Sequence, residues 1–548
     1  MLEELDASLT RLFAEAGVDN VTIDHREFPD EHWAVVHVPA SFLVASQAVV
    51  PEAESLVREV FLPPTEAIVV VRPLAPSQAL NEHEDSGQLA RPAVDQLIQL
   101  LEARSRTSDA LPSLRYVEDP RASLSVVSVQ RHHIVYGRRG VGKTALLLEA
   151  KRIAEDSGHA TVWINAQTLR RLDADQAFLT LAERLARAVG ARGGASTGSP
   201  FASLTEIANQ IRMHLASGDE SSHFVSSLIA TLNGALRGVL REDLMRAYVF
   251  VDDFYLLDIA VQPQILDRLH ALIRDTNAWI KLASIERLTR PFEPSSKIGL
   301  EIPHDATTID LDVTLEDPAA AQAFLERVLL DYTTAAGIST PRSIVKQDAL
   351  SRLVLASGGV PRDYLNLLAA SIVGARKNRA LAREVGKEDV ARAASDAART
   401  KRRDLEQDVG DKVARELGGV LDALASGVKE AGFTYFLVRV DEPTGTNFER
   451  LGRLVDLRFC HLVQSSLSDQ HRPGVRYEAY VLALSEFADV RLQRGLRVLD
   501  LSSGTWTLKR TGAQGSSERL DGTKFRDRLR RAPVVDAGNG DIGVVVTR

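Results

Sequence analysis

Residues 137–144 read Gly137-Arg138-Arg139-Gly140-Val141-Gly142-Lys143-Thr144, a complete match to the pattern G-x-x-x-x-G-K-S/T. The glycines let backbone N–H groups wrap a phosphate where any Cβ would collide with it. Lys143 then reaches the outer phosphate oxygens, and the Thr144 hydroxyl is a ligand for Mg²⁺. The apolar run HHIVY leads in and the amphipathic run TALLLEAKRIAED leads out, so the loop lies between a strand and a helix N-terminus, which itself favours an anion. The expected cradle is Gly137, Arg138, Arg139, Gly140, Val141, Gly142, Lys143, Thr144 and Ala145. Its expected occupant is ATP or ADP with Mg²⁺.

Such a loop works with an acidic group on a neighbouring strand. Tyr248-Val249-Phe250-Val251-Asp252-Asp253 supplies it: four apolar residues, hence a buried strand, ending in two carboxylates. Asp252 is expected to hold Mg²⁺ through water, and Asp253 to orient or deprotonate the attacking water. Ser284 ends the run WIKLAS, from which its hydroxyl can polarise that water or the terminal phosphate. Gly358-Gly359-Val360-Pro361-Arg362 opens a helix, and the permanently charged fork of Arg362 can lean onto nucleotide phosphates.

From about Tyr116, apolar strands alternate with helices, which predicts a parallel sheet covered on both faces. The expected strands are His133–Tyr136, Ala160–Asn165, Tyr248–Val251, Trp279–Ser284 and Thr308–Leu311. Asp317-Pro318, an N-cap followed by proline in the first turn, starts an all-helical stretch to about Thr400. After Asp411 come a long helix, a strand at Phe433–Val440, a helix at Asn447–Phe459, and two strands, His461–Ser465 and Val475–Leu484, joined by SLSDQHRPG. That is the order of a winged-helix domain. Ahead of the core, helices Leu2–Ala16 and Glu52–Phe61 and strands Val21–Phe28, Trp33–Val38 and Ala67–Arg72 make a small α+β module. Polar or Gly/Ser-rich runs at 75–89, 104–113, 190–200 and 512–522 read as linkers or loops. The expected fold class is therefore an α/β P-loop NTPase with a helical lid, an N-terminal α+β module and a C-terminal winged helix. The expected bounds are 1–74, a linker with a short helix at 75–115, an ATPase core at 116–315, a lid at 316–402, a winged helix at 403–500 and a tail at 501–548.

GRRGVGKT, YVFVDDFYLL, WIKLASI and SGGVPRDYL, in this order and spacing, resemble the Walker A, Walker B, sensor 1 and sensor 2 pattern of AAA+ ATPases. With the lid and winged helix behind them, they look most like the origin-recognition (ORC-like) initiators and their bacterial relatives. The resemblance covers roughly Tyr116 to Leu499. It implies that Ser284 is sensor 1 and Arg362 sensor 2, and that either Arg287 or Arg290 in ERLTR is an arginine finger acting across an ATP-dependent homo-oligomer. Many AAA+ proteins carry Glu where this chain has Asp253. The shorter side chain implies slow hydrolysis.

Two readings of the C-terminal half follow. In the first, the winged helix engages duplex DNA through Arg450 and Arg453 on its helix and His471, Arg472 and Arg476 in its wing. In the second, that of a STAND-like signalling or defence NTPase, the winged helix is an intramolecular or protein–protein contact. Whether its face stands open or is docked on the ATPase core separates them. The N-terminal module reads as a domain for packing or for contact with a protein partner. At −8 the net charge gives no whole-molecule attraction to nucleic acid or anionic lipid, so any DNA contact must be local. Cys460, the only cysteine, excludes an internal disulfide and reads as a buried apolar residue. No apolar stretch is long enough to span a membrane, and a cytoplasmic location is expected by elimination.

Overall fold

The computed structural model describes residues 2–18, 21–28, 31–38, 42–61, 66–73, 88–103, 116–193, 200–242, 245–379, 381–409, 411–440, 445–487, 495–512, 517–538 and 543–545. It comprises two compact units, Met1–Ser86 and Gly87–Arg548. The linker runs expected at 104–113 and, for the most part, at 75–89 and 190–200 lie outside the described residues.

In the first unit, helix Leu2–Glu15 sets Leu5, Leu9 and Phe13, spaced four apart, on one buried face. Strand Glu31–Val38 pairs antiparallel with Thr22–Phe28 and parallel with Glu66–Pro73. Ala34, Val36 and Val38, at period two, meet Leu9, Phe13 and Val57 in a single small core. All five expected elements are present, with bounds shifted by at most two residues.

The core of the second unit is a five-stranded, all-parallel sheet in the order Ala306–Asp310, His132–Tyr136, Ala278–Ser284, Ala247–Asp252, Ala160–Asn165. Side chains alternate between its faces. Val135, Tyr248, Phe250 and Ile309 pack on helix Lys143–Asp156, while Ile134, Val249, Val251 and Ile280 pack on the other side with Phe178, Leu266 and Leu269. Coverage on both faces explains why the central strands His132–Tyr136 and Ala247–Asp252 are buried along their whole length, whereas the edge strands Ala160–Asn165 and Ala306–Asp310 are buried only in part. The strand ends that carry Tyr136, Asp252 and Ser284 fall on one edge, above which the lid and C-terminal domain sit.

The lid contains helices Pro318–Ala335, Gln347–Ser357, Pro361–Asn378 and Lys387–Val409. Asp317 caps the first as expected, accepting from Ala320 N–H at 2.9 Å. Helix Pro92–Ala103, expected within a linker, instead buries Val94, Leu97 and Leu101 in the lid core, and the Arg376 guanidinium pairs with Asp95 at 2.6 Å.

Lid and C-terminal domain share one hydrophobic core, so the latter is no pendant module. Arg402 of the last lid helix donates to Asp422 at 2.7 Å and to Glu486 at 2.6 Å. The domain runs helix Asp411–Glu430, strand Tyr435–Arg439, helix Thr446–Asp456, then the hairpin Cys460–Ser468 and Arg476–Leu482. Cys460 is fully buried. The described residues of the polar tail expected after residue 500 fold into this domain. Arg497–Ser502 and Thr505–Arg510 form a hairpin whose turn places Ser503 at φ +48° and Gly504 at φ +70°, the signature of a type I′ turn. Val534–Asp536 then extends the main sheet beside Tyr435–Arg439, followed by Gly543–Val545. Val534–Asp536 and Gly543–Val545, three residues each, are too short for periodicity to announce them.

Candidate nucleotide site

The loop between Tyr136 and helix Lys143–Asp156 is set by its glycines: Gly137, Gly140 and Gly142 have φ of +153°, +87° and +108°. Gly140 also permits close approach, since a Cβ there would stand 2.9 Å from Arg362 Cβ at the start of a lid helix. The Arg362 N–H donates to the Gly140 carbonyl at 3.3 Å, so the lid rests directly on the loop.

Lys143 is buried, and its Nζ donates to the carbonyls of Gly137 at 2.7 Å and Arg138 at 3.0 Å. Burial lowers its pKa to about 8; Arg362 acts in the same direction, while Asp312, Asp253 and Asp252 oppose it. The Thr144 hydroxyl donates to Asp252 Oδ2 at 2.9 Å. Asp252 Oδ1 is buried without a hydrogen-bond partner. Burial, then the neighbouring Asp253, push the Asp252 carboxyl up to about 6. An oxygen-only donor set with one unpaired buried carboxylate oxygen suits a hard divalent cation.

Asp253 sits in the left-handed region, φ +53°, at the sharp turn that ends its strand. Its Oδ2 accepts from Asn165 Nδ2 at 3.3 Å. Asn165 ends the adjacent strand, in register with Asp252. Sequence reasoning missed it, although a polar residue closing an apolar strand was a visible signal. Ser284 is fully buried and 2.5 Å from the Thr289 hydroxyl. Thr289 spends its own proton on the Ile285 carbonyl at 2.6 Å, so Ser284 is the donor.

The side chains of the two loop arginines are engaged by groups outside the loop. Arg138 donates through Nε to Asp312 at 3.1 Å and through Nη2 to the Gly358 carbonyl at 3.1 Å, tying the loop to the lid. The Arg139 guanidinium lies over the Tyr255 ring at 5.5 Å, just beyond the acid pair.

The C-terminal domain reaches the same loop. Arg458 Nη1 donates to the Arg139 carbonyl at 3.0 Å, and its Nε forms an ion pair with Asp363 at 2.9 Å, without the N–H aimed at the carboxylate. His461 is buried against Gly358, where a Cβ would overlap the ring, and neither ring nitrogen has a hydrogen-bond partner. Burial, then Arg138, Lys401 and Arg458, hold its pKa well below the ordinary value.

The two finger candidates differ. Arg290 pairs with Glu293 in its own loop at 2.8 Å. Arg287 Nε lies 3.6 Å from Asp456 of helix Thr446–Asp456 and packs on Gly452. Of the DNA candidates, Arg450 is engaged inside the domain, with Asn447 at 3.1 Å and Glu416 at 3.4 Å. Arg453, His471, Arg472 and Arg476 are exposed.

The strands, numbered along the core, lie in the order 5-1-4-3-2. The phosphate loop follows the first strand, the acid pair the third and the buried serine the fourth, and a helical lid comes after the fifth. The fold this defines is the α/β P-loop fold of AAA+ type. No protein-family model and no curated protein matches the sequence. Among solved structures, the chain is similar to the ORC1 protein of Aeropyrum pernix in complex with DNA, at 15% identity and a TM-score of 0.35, over 71% of this chain and 95% of that one. It is also similar to Drosophila ORC bound to DNA, at 12% and 0.35 over 80% and 97%. Cdc6p from Pyrobaculum aerophilum follows at 14% and 0.30, over 76% and 94%.

Proposed function

We propose that the chain is an ATP-driven switch of origin-recognition type, in which the nucleotide sets the position of a C-terminal winged helix that engages duplex DNA. The observation that carries this reading is the Arg458 bridge from that domain to the phosphate loop and the first turn of the lid helix. Whatever enters the loop acts on Arg139 and Asp363 together.

On nucleotide entry, Lys143 exchanges the Gly137 and Arg138 carbonyls for phosphate oxygens, and Arg362 approaches the phosphates from the lid. Thr144 and Asp252 would hold Mg²⁺, whose charge neutralises the β- and γ-phosphate oxygens. Asp253, steadied by Asn165, accepts a proton from the attacking water. Its short side chain makes turnover slow. ATP-dependent homo-oligomers and a protein partner for the N-terminal module complete the proposal.

One observation favours the second reading. Helix Thr446–Asp456 is docked on Arg287 of the core, so its face is not open. The hairpin tip with His471, Arg472 and Arg476 remains exposed, and the first reading therefore needs only the tip to touch DNA before the helix is released. ATPase activity measured with and without duplex DNA across a salt series tests the choice. Stimulation that fades steeply with salt supports DNA engagement. Activity indifferent to DNA at low salt leaves the signalling reading.

A further inference from the structure

We infer that Arg139 and Tyr255 form a strut through which the C-terminal domain positions Asp253, the residue read above as acceptor of the water proton. The inference rests on that ATPase reading and names two positioning residues for it.

Asp253 stands on a turn that needs outside support. Its backbone is left-handed, φ +53°, and Phe254–Leu256 after it make one short turn, closed by the Leu256 N–H on the Asp253 carbonyl at 2.9 Å. A non-glycine residue keeps such a conformation only where its surroundings over-determine it. Phe254 supplies one anchor, buried in the core of the second unit. Tyr255 supplies the other. Its side chain is half-buried, the Arg139 guanidinium lies over the ring at 5.5 Å, and the two side chains share a hydrogen bond. The Tyr255 hydroxyl registers both neighbours: burial raises its pKa first, Asp253 adds to the rise, and Arg139 opposes it. Asn165 thus fixes the Asp253 carboxylate at 3.3 Å, and the Arg139–Tyr255 contact fixes the turn that carries it.

Arg139 is itself held from the other two domains. The next carbonyl in the loop, that of Gly140, takes the Arg362 N–H of the lid at 3.3 Å. The Arg139 carbonyl takes Arg458 Nη1 of the C-terminal domain at 3.0 Å, and Arg458 pairs in turn with Asp363. One residue therefore has its main chain gripped by the C-terminal domain and its side chain braced on the Asp253 turn. With Arg458 in place the strut is complete and the carboxylate is aimed. When the C-terminal domain leaves the loop, the Arg139 main chain is released and the turn loses its brace. Docking of the domain thus favours hydrolysis.

A series of contacts amounts to coupling only if its members act as one unit, which double-mutant cycles measure. The test follows ATP hydrolysis at saturating ATP, with ATP affinity by calorimetry, in the full-length protein. Tyr255→Leu should lower kcat by about two- to fivefold, the factor a cation–π contact at an exposed site can carry, with the ATP Kd unchanged. Tyr255→Phe keeps the ring face and should lose less. Arg139→Met, at an exposed position where substitution disturbs little packing, should match Tyr255→Leu in kcat, and the double variant should lose no more than either alone. Arg458→Met should lower kcat in the wild-type background and leave it unchanged in the Tyr255→Leu background. Losses that multiply, or wild-type kcat in both Tyr255→Leu and Arg139→Met, overturn the inference alone, provided that Asp253→Asn is inactive. An active Asp253→Asn overturns the reading of Asp253 and the inference with it.

Discussion

Arg458 donates to the Arg139 carbonyl at 3.0 Å while pairing with Asp363 at 2.9 Å, so a single side chain of the C-terminal domain spans the phosphate loop and the lid. It does this from a left-handed backbone, φ +64°, a conformation that costs a non-glycine residue about 1–2 kcal/mol. Arg458→Ala keeps that strain and strips the part-buried Asp363 of its partner, for an expected loss of about 1–3 kcal/mol. Arg458→Gly loses the same contacts but relieves the backbone, and should be the more stable of the two. Chemical denaturation of both variants checks the order. Wild-type stability in the alanine variant would show that the bridge carries no energy.

Lys143→Ala should abolish ATP binding in a calorimetric titration, because it removes a charge-assisted contact. The wild-type protein should also show a pH dependence of definite sign. Burial places the Lys143 pKa near 8 in the free protein, and phosphate binding requires the charged form. Below pH 8 the proton is already in place; above it, binding must recapture one. ATP affinity should therefore weaken toward about tenfold per pH unit on the alkaline side of 8. Affinity that stays flat to pH 9.5 would remove Lys143 from the phosphates.

Asp253→Asn should leave ATP affinity intact and stop turnover, since an amide cannot take a proton from water. Asn165→Ala should also slow turnover, because it frees the carboxylate held by its Nδ2 at 3.3 Å. The affinity should again be unchanged. Asp253→Glu restores reach toward the water and should speed hydrolysis if side-chain length is the limit. Turnover retained in Asp253→Asn would move the base elsewhere.

The sheet was legible because its strands are largely apolar and two of them end in chemically distinctive residues, at Val251-Asp252 and Ala283-Ser284. The loop was legible because its function constrains consecutive positions. The contacts that join the domains have no such local mark. Arg287 with Gly452 and Asp456, or Arg458 with Asp363, bring together positions far apart in the chain. Helix Pro92–Ala103 shows the same limit. Val94, Leu97 and Leu101 announce a helix with one apolar face, but nothing in their spacing says that the face belongs to the lid. Arg138 read as a cradle residue by position alone. Its side chain was free to turn because only its backbone is fixed by the motif.

Duplex binding should depend on the hairpin tip far more than on helix Thr446–Asp456. His471, Arg472 and Arg476 are exposed, and Asp469 holds the tip in shape by accepting the N–H groups of His471 at 2.7 Å and Arg472 at 3.1 Å. Gly474, at φ +88°, completes the turn after Pro473. Arg450 is already engaged with Asn447 and Glu416, so Arg450→Glu should set two acids against each other inside the domain and cost stability before it costs DNA affinity. Arg472→Glu with Arg476→Glu removes two potential phosphate contacts, which should flatten the log–log salt slope by about 2. ATP affinity should be unchanged in that pair, because neither residue is among the contacts at the loop. Arg453→Glu should have an intermediate effect, since its exposed side chain shares the helix with Glu449 and Asp456. Filter retention of a radiolabelled duplex across a salt series, with ATP present, measures all three. Equal retention by wild type and the Arg472/Arg476 double variant at low salt would take DNA contact away from the tip, and no retention by wild type would leave the docked domain as a protein switch.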